Sequence, residues 1–472
     1  MRNWQKSVVI YLLLLETRLL IPKKQLFELI MSKVVQENTR IIPNRQTSLT
    51  REQKEAVGLL SIGTLLEYFD LMLYVHMAVL LNELFFPQSD PHTTTLLSAF
   101  SFCATFVFRP IGALLFGWIG DKVGRKTTLV VTTFMMACSC LMMFILPTYA
   151  QIGITASVLI TICRIVQGMS SLGEVVGVQL YLTEMTKPPI QYPVVGCISI
   201  FADLGGVCAL GIAALVTAYS FSWRYAFLFG AMIALVGAMA RIRLREAPEF
   251  ADATRRLLNK LKTFGFEKKD ITNQEMLNEK VNTKTILAYL SIESTGPIIF
   301  YFVYIHCATI LKSTLNYSAE QIINHNLLVI IAELITSIII TYLSYKICPL
   351  KILKIKLVIC ASIIIFLPYL LTDISSPFYL LLLQFFILLF QTGAFPAVSI
   401  FYKQFPVFKR FRCISISCAM IRAIMYVVVS FGLVYLIEYF GNWGIVILFV
   451  PFLVAYGFGL RHFAMLEKLR DA

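Results

Sequence analysis

The sequence predicts an all-α integral membrane protein: twelve transmembrane helices in two six-helix bundles. Three observations lead there. Of 472 residues, 58% are hydrophobic and only 14% charged, with a mean hydropathy of +0.76. A soluble domain carries about 25% charge. The apolar runs are long and unbroken, as a helix of about 20 residues crossing hydrocarbon requires; a membrane β-barrel would need alternating strands of about 10 residues. One long polar segment, 241–284, divides the runs six and six.

In chain order the spans read as 56–81, 96–119, 127–146, 153–182, 194–218 and 223–240, then 285–310, 322–345, 353–372, 378–402, 413–437 and 442–460. Ahead of them lies a tail, 1–55. Its stretch "VVIYLLLLETRLLIP" has eight apolar residues before Glu16 and Arg18, too short and too charged to span. No small-x-small cleavage site follows. The tail reads as an interfacial amphipathic segment, a disordered cytoplasmic tail, or residues added by an upstream start codon. The N-terminal bundle takes 56–240 and the C-terminal bundle 285–460, with a short cytoplasmic tail at 461–472. The segment 241–284 carries eleven bases and seven acids and begins "RIRLREAPEFADATRR". It reads as a cytoplasmic linker, partly helical from Arg241 to Leu258.

Charge sets the orientation. With the N-terminus inside, the inner loops hold 23 Lys and Arg, among them Lys346, Lys351, Lys354 and Lys356; the outer loops hold only Arg224 and Lys312. That bias places both termini in the cytoplasm. The net charge of +14 sits in short clusters between apolar runs, so it is topogenic and gives no footprint for nucleic acid. Most of the eleven cysteines lie inside apolar runs and read as small buried hydrophobes, with no CxxC or Cys/His metal spacing.

Arg109, Arg164, Arg422, Glu67, Asp70, Glu174, Asp203, Glu293 and Glu333 all fall inside spans. Each costs ~2.5–3.5 kcal/mol at mid-bilayer, so they should face a bundle interior or a wet cavity. Structural ion pairs are the competing reading. In "LLEYFDLMLY", Glu67 and Asp70 are three apart and share a helix face. Neighbouring carboxylates resist double ionisation, which suits a proton site; the alternative is one acid paired with a base and the other bonded locally. Arg109 opens "RPIGALLFGW", and its planar fork suits a carboxylate of a solute or of another helix. Arg164 and Glu174 are ten residues apart, about 80° around a helix, so they do not stack. Gly173 and Gly177 form a GxxxG pair that allows close helix contact.

The stretch "FGWIGDKVGRKTT" (116–128) ends the second span and turns into the third. Gly117 lets another helix approach and Gly124 permits the turn. Asp121 sits where a helix N-terminus or an arginine of a neighbouring span could meet it. Arg125 and Lys126 anchor the loop. A breakable latch and a plain topogenic loop both fit this pattern.

The spacing Gly117-x-x-x-Asp121-Lys122-x-Gly124-Arg125-Lys126 resembles the signature loop of the major facilitator superfamily. Within it, "LEYFDLMLY", "FRPIGALLFGWIGDKVGRK", "RIVQGMSSLGEVVGVQLYLTE" and "SWRYAFLFGAMIALVGAMARIRLREAPEF" resemble the metabolite:proton symporters, which include proline/betaine, α-ketoglutarate and citrate carriers. The resemblance implies two six-helix bundles rocking around a central cavity. It also implies a proton and substrate role for Glu67, Asp70, Arg109, Arg164 and Glu174, and a cytoplasmic gate built on Gly117, Asp121, Gly124, Arg125 and Arg412. Three departures stand out, one of them Glu333, an acid in the middle of the eighth span that reads as a new ion site or a tolerated intruder. The fourth-span motif reads Leu172-Gly173-Glu174-Val175, short of one glycine and an aromatic. The repeat of the latch between the eighth and ninth spans is absent, that place reading "YLSYKICPLKILKIK".

The expected function is therefore proton-coupled symport of a small polar solute, an osmolyte or organic acid, in an inner membrane. The expected partners are that solute, protons and the bilayer, with no nucleic acid, cofactor or metal, and a monomeric state. The alternative is a transporter-like sensor or scaffold that no longer transports. No P-loop, GxSxG or HExxH motif suggests an enzyme or an ATP-driven pump.

Overall fold

The computed structural model describes residues 45–85, 106, 108–219, 222, 224–242, 281–372, 374, 376–407 and 409–471. The expected tail up to residue 44 and the linker residues 243–280 lie outside them. Each of the twelve expected spans carries helix. In the first half these are α1 (Arg51–Phe85), α2 (Arg109–Lys122), α3 (Arg125–Ile145), α4 (Ile154–Met185), α5 (Gln191–Tyr219) and α6 (Arg224–Ile242). In the second, α7 is a series of segments, Thr283–Glu293, Thr295–Phe300, Tyr301–His306 and Cys307–Ser313. It is followed by α8 (Ala319–Lys346), α9 (Pro349–Thr372), α10 (Pro377–Leu389), α11 (Arg410–Phe440) and α12 (Trp443–Asp471). Among the described residues, seven helices are by themselves long and apolar enough to cross a membrane. The outer faces of the helices expose large apolar side chains such as Leu114, Phe229, Val358, Tyr369 and Phe458. Hydrocarbon is the solvent that accepts such a surface.

Two spans are not the plain helices their composition suggests, and both departures serve the cavity described below. In α7 the helix breaks at Ser294, just before Gly296 and Pro297, and then widens into a π-helical turn at Tyr301–His306. Proline lacks the N–H that would continue the ladder, and π-turns recur at functional sites. The expected span 378–402 is interrupted: α10 stops at Leu389 and helix resumes only at Val398–Tyr402. The sequence between them, "FQTGAFPA", holds Gly393 and Pro396. Non-helical backbone at membrane depth survives only where it is buried in protein or lines a cavity. Here Thr392, Gly393, Ala394 and Phe395 line one, and the Tyr456 hydroxyl of α12 donates to the Gly393 carbonyl at 2.8 Å.

Within the first half, α1 packs on α5 and α6, and α3 on α4 and α6; within the second, α12 packs on α7, α9 and α11. The halves meet through α5 against α8 and α2 against α11. These two pairings position everything that follows.

Candidate substrate cavity and latch

A cavity of about 270 Å³ lies between the halves, walled by α1, α2, α4 and α5 on one side and α7 to α11 on the other. Among the described residues, six charged side chains line it: Arg109, Asp203, Glu293, Glu333, Lys356 and Arg422. Three acids and three bases balance formally. In a site shielded from bulk water, that balance is what makes the group tolerable.

Three clusters organise these charges. Glu293 stands at the break in α7 and pairs with Arg422 of α11, whose Nη2 and Nε donate to Glu293 Oε2 at 2.9 and 3.3 Å. The Tyr289 hydroxyl reaches the other oxygen at 3.4 Å and the Cys418 thiol reaches Oε2 at 3.5 Å. Glu333 of α8 accepts the Tyr304 hydroxyl at 2.6 Å and the Gln391 amide at 3.4 Å. The π-turn of α7 presents Tyr304, and Gln391 belongs to the unwound end of α10. Asp203 of α5 accepts the Ser337 hydroxyl of α8 at 2.5 Å, a bond across the two halves. On the α2 wall, Arg109 is buried with its guanidinium 4.6 Å from the Phe106 ring centre, and Phe106 stacks on Tyr426 of α11 at 4.5 Å.

The end of the cavity nearest Asp121 is shut by contacts between the halves. The Asp121 carboxylate accepts the backbone N–H groups of Phe411 at 3.2 Å and Arg412 at 2.9 Å. These are N2 and N3 of α11, two of the donors that a helix start leaves without intrahelical partners. An acid of the first half thus caps a helix of the second and meets the positive end of its dipole. The approach is possible because α2 carries glycine there. A Cβ on Gly117 would stand 2.8 Å from Arg412 Cα, and one on Gly120 would overlap the Phe411 ring. Gly124, at φ 137°, makes the turn into α3. Nearby, Arg410 forms an ion pair with Glu184 of α4 at 3.2 Å, Lys403 donates to Gln191 at 2.8 Å, and Tyr402 donates to Gln179 at 2.8 Å. Asp121→Ala is expected to cost about 0.5–2 kcal/mol, and Asp121→Asn less because it keeps an acceptor oxygen. Thermal unfolding of the purified variants orders them; an Asp121→Ala protein as stable as wild type would remove the cap.

The architecture has counterparts among known proteins. The family model of the Major Facilitator Superfamily matches residues 60–406. The chain belongs to that superfamily. Over 198 residues it is 38% identical to the inner membrane metabolite transport protein YhjE of Escherichia coli K12, covering 40% of this chain and 45% of that protein. Over 290 residues it is 27% identical to the proline/betaine transporter of Salmonella typhimurium, covering 60% of this chain and 57% of that one. The chain thus spans about half the length of the curated relatives it matches. Among solved structures, the proton:xylose symporter XylE bound to 6-bromo-6-deoxy-D-glucose aligns with a TM-score of 0.69. That match covers 88% of this chain and 95% of XylE at 16% identity, a likeness of fold. Twelve helices in two bundles is the fold of this superfamily.

Against that fold, the residues singled out from the sequence divide into groups. Arg109 lines the cavity, while Gly117, Asp121, Gly124 and Arg412 gather at the latch; Arg412 contributes its backbone N–H and Cα. Arg164 is fully buried within the first half, donating to Gln167 at 2.8 Å, and is not on the cavity wall. Glu67, Asp70, Glu174 and Arg125 stand on α1, α4 and α3, and their side chains lie outside the described ones. Lys356 corrects the loop count: it is a cavity residue, 3% exposed. The bias of inner over outer bases survives its removal. Glu184, at the end of the quoted fourth-span stretch, and Arg410 carry latch contacts, and neither is among the site residues expected from the sequence.

Proposed function

We propose that this superfamily member is a secondary transporter that moves a small polar metabolite or osmolyte by alternating access, coupled to protons, in an inner membrane with both termini cytoplasmic. The observation that carries the proposal is a cavity lined by charges of both signs, between two halves whose contacts close one end. Such a cavity is near the lower size of ligand sites, about 300 Å³, and suits a solute of a few carbons. Its arginines and lysine suit a carboxylate, and its acids suit a cationic group or a proton. Opening the Asp121 end requires α11 to lose its cap and Arg410 to part from Glu184. One proton crossing 100 mV supplies about 2.3 kcal/mol for that cycle. Glu67 and Asp70 on α1 are candidate proton carriers alongside the cavity acids.

Proteoliposomes holding the full chain, with an inward proton gradient and negative interior, test the reading. Labelled proline, glycine betaine, α-ketoglutarate and citrate serve as probes. Accumulation of at least one, collapsed by a protonophore, is the expected result. Neither accumulation nor counterflow for any of them would sink it. A sensor or scaffold gives no uptake at any gradient.

A further inference from the structure

Three cavity carboxylates take no part in the latch; Glu293 is paired with Arg422, and the other two, Asp203 and Glu333, stand on opposite halves. Asp203 is on α5, and Ser337, which donates to it at 2.5 Å, is on α8. Glu333 precedes Ser337 by four residues, so it lies on the same face of α8 one turn away. Both acids line the same cavity. Glu333 is held in place from two further elements, by the Tyr304 hydroxyl of the α7 π-turn and the Gln391 amide beyond α10. The arrangement is therefore built, not incidental: the two helices that join the halves each bring an acid to the same cavity, about one helix turn apart.

Two carboxylates a helix turn apart, away from bulk water, repel while both are ionised, and one shared proton removes that repulsion. Because the acids ride on different halves, the repulsion bears on whether α5 and α8 meet. We propose that Asp203 and Glu333 form a proton-binding pair that takes up one proton as α5 and α8 close beside the cavity and gives it up as they part. An O–H bond forms on one carboxylate with a proton from cavity water and breaks when the pair faces water on the other side. By linkage, whatever proton binding does to the closure, closure does to proton binding. The pair thus ties protonation to the rocking of the halves. It rests on the transporter reading for its purpose, and it is separate from the α1 acids.

Among the described side chains, the following charged and titratable groups stand around the pair. Lys356 of α9 stands on the same wall, with its ammonium 5.8 Å from the Phe395 ring centre. Against two acids it leaves one negative charge in this part of the cavity, which one proton cancels. Arg109 of α2 and the Glu293–Arg422 pair complete the charged lining, with the phenols Tyr68 and Tyr426. On α8 itself, His325 is bonded to Gln384 at 2.8 Å, two turns from Glu333.

The test reads conformation and needs no solute. Ile154 and Phe378 are exposed, at the starts of α4 and α10, and helix alternation puts both at the end remote from Asp121. Spin labels at Ile154→Cys and Phe378→Cys, in a background whose reactive native cysteines are serine, report the separation of the halves in liposomes. Between about pH 8 and pH 5, the wild-type distance distribution is expected to shift toward the conformation described here. Glu333→Gln and Asp203→Asn are each expected to hold the low-pH distribution throughout and to lose the shift. Glu333→Asp is expected to keep a shift with a displaced midpoint, which preserves the test if Glu333→Gln does not insert. A wild-type distribution that ignores pH, or either neutral variant following the wild-type curve, overturns the pair. Failure of every solute in the uptake assay, with the pH shift intact, removes the transporter reading and leaves the pair standing.

Discussion

Arg410→Ala is expected to be the most destabilising single change at the latch. The ion pair it removes is sealed from solvent, with side-chain exposures of 4% for Arg410 and 0% for Glu184. The same guanidinium donates its Nε to the Phe405 carbonyl at 3.0 Å, so it also fixes the chain entering α11. Removing one member of a buried pair costs about 3–5 kcal/mol, chiefly because the other charge stays in the interior. Glu184→Gln should cost less than Arg410→Ala, since the amide oxygen keeps the shape and still accepts from the guanidinium, although Arg410 loses its counter-charge. The double variant Glu184→Gln, Arg410→Met should recover much of the loss, because it leaves no buried charge at either position. Thermal unfolding in detergent of wild type, Glu184→Gln, Arg410→Met and the double variant closes the cycle. Single effects that merely add would show that the two side chains do not act as a pair.

That pair also marks the limit of what the sequence displays. Arg410 and Glu184 are 226 positions apart and belong to different bundles. No periodicity or local spacing links them, and both sit beside loops where charge is ordinary. Asp121 was legible for the opposite reason: it accepts two backbone N–H groups of α11, a contact that calls for an acid and the glycines that admit α11, all within one short stretch. The helices were legible because hydrocarbon enforces long apolar runs. The break after Leu389 and the π-turn at Tyr301 were not, since both runs stay apolar throughout and only Gly393–Pro396 and Gly296–Pro297 mark them. Lys356 was misassigned for want of one step. At 100° per residue, Lys351 and Lys354 share a face of α9, and Lys356 falls 200° from Lys354 on the other. The first two are exposed and the third is buried, as that geometry requires.

The second large effect is expected at Arg422. Its side chain is 30% exposed while that of Glu293 is 8% exposed, so the arginine faces the cavity and the acid stands behind it. Both arginine donors go to the same oxygen of Glu293, which leaves Nη1 directed away from this bond. Arg422 balances the acid at the break in α7, and in the proposed transporter it would also offer donors to a solute carboxylate. Arg422→Ala is expected to lower the initial uptake rate at least about thirty-fold, the smaller end of the 2–5 kcal/mol lost on truncating such a pair. Arg422→Lys restores charge but not the fork, and is expected to recover only part. The double variant Glu293→Gln, Arg422→Gln separates the tasks. With no charge left to balance, it should regain the folded yield of wild type, measured as a monodisperse peak after solubilisation. Uptake should stay lost, because the solute still finds no cation on that wall. Uptake by the double variant at the wild-type rate would reduce Arg422 to a counterion for Glu293 and move carboxylate recognition to Arg109 or Lys356.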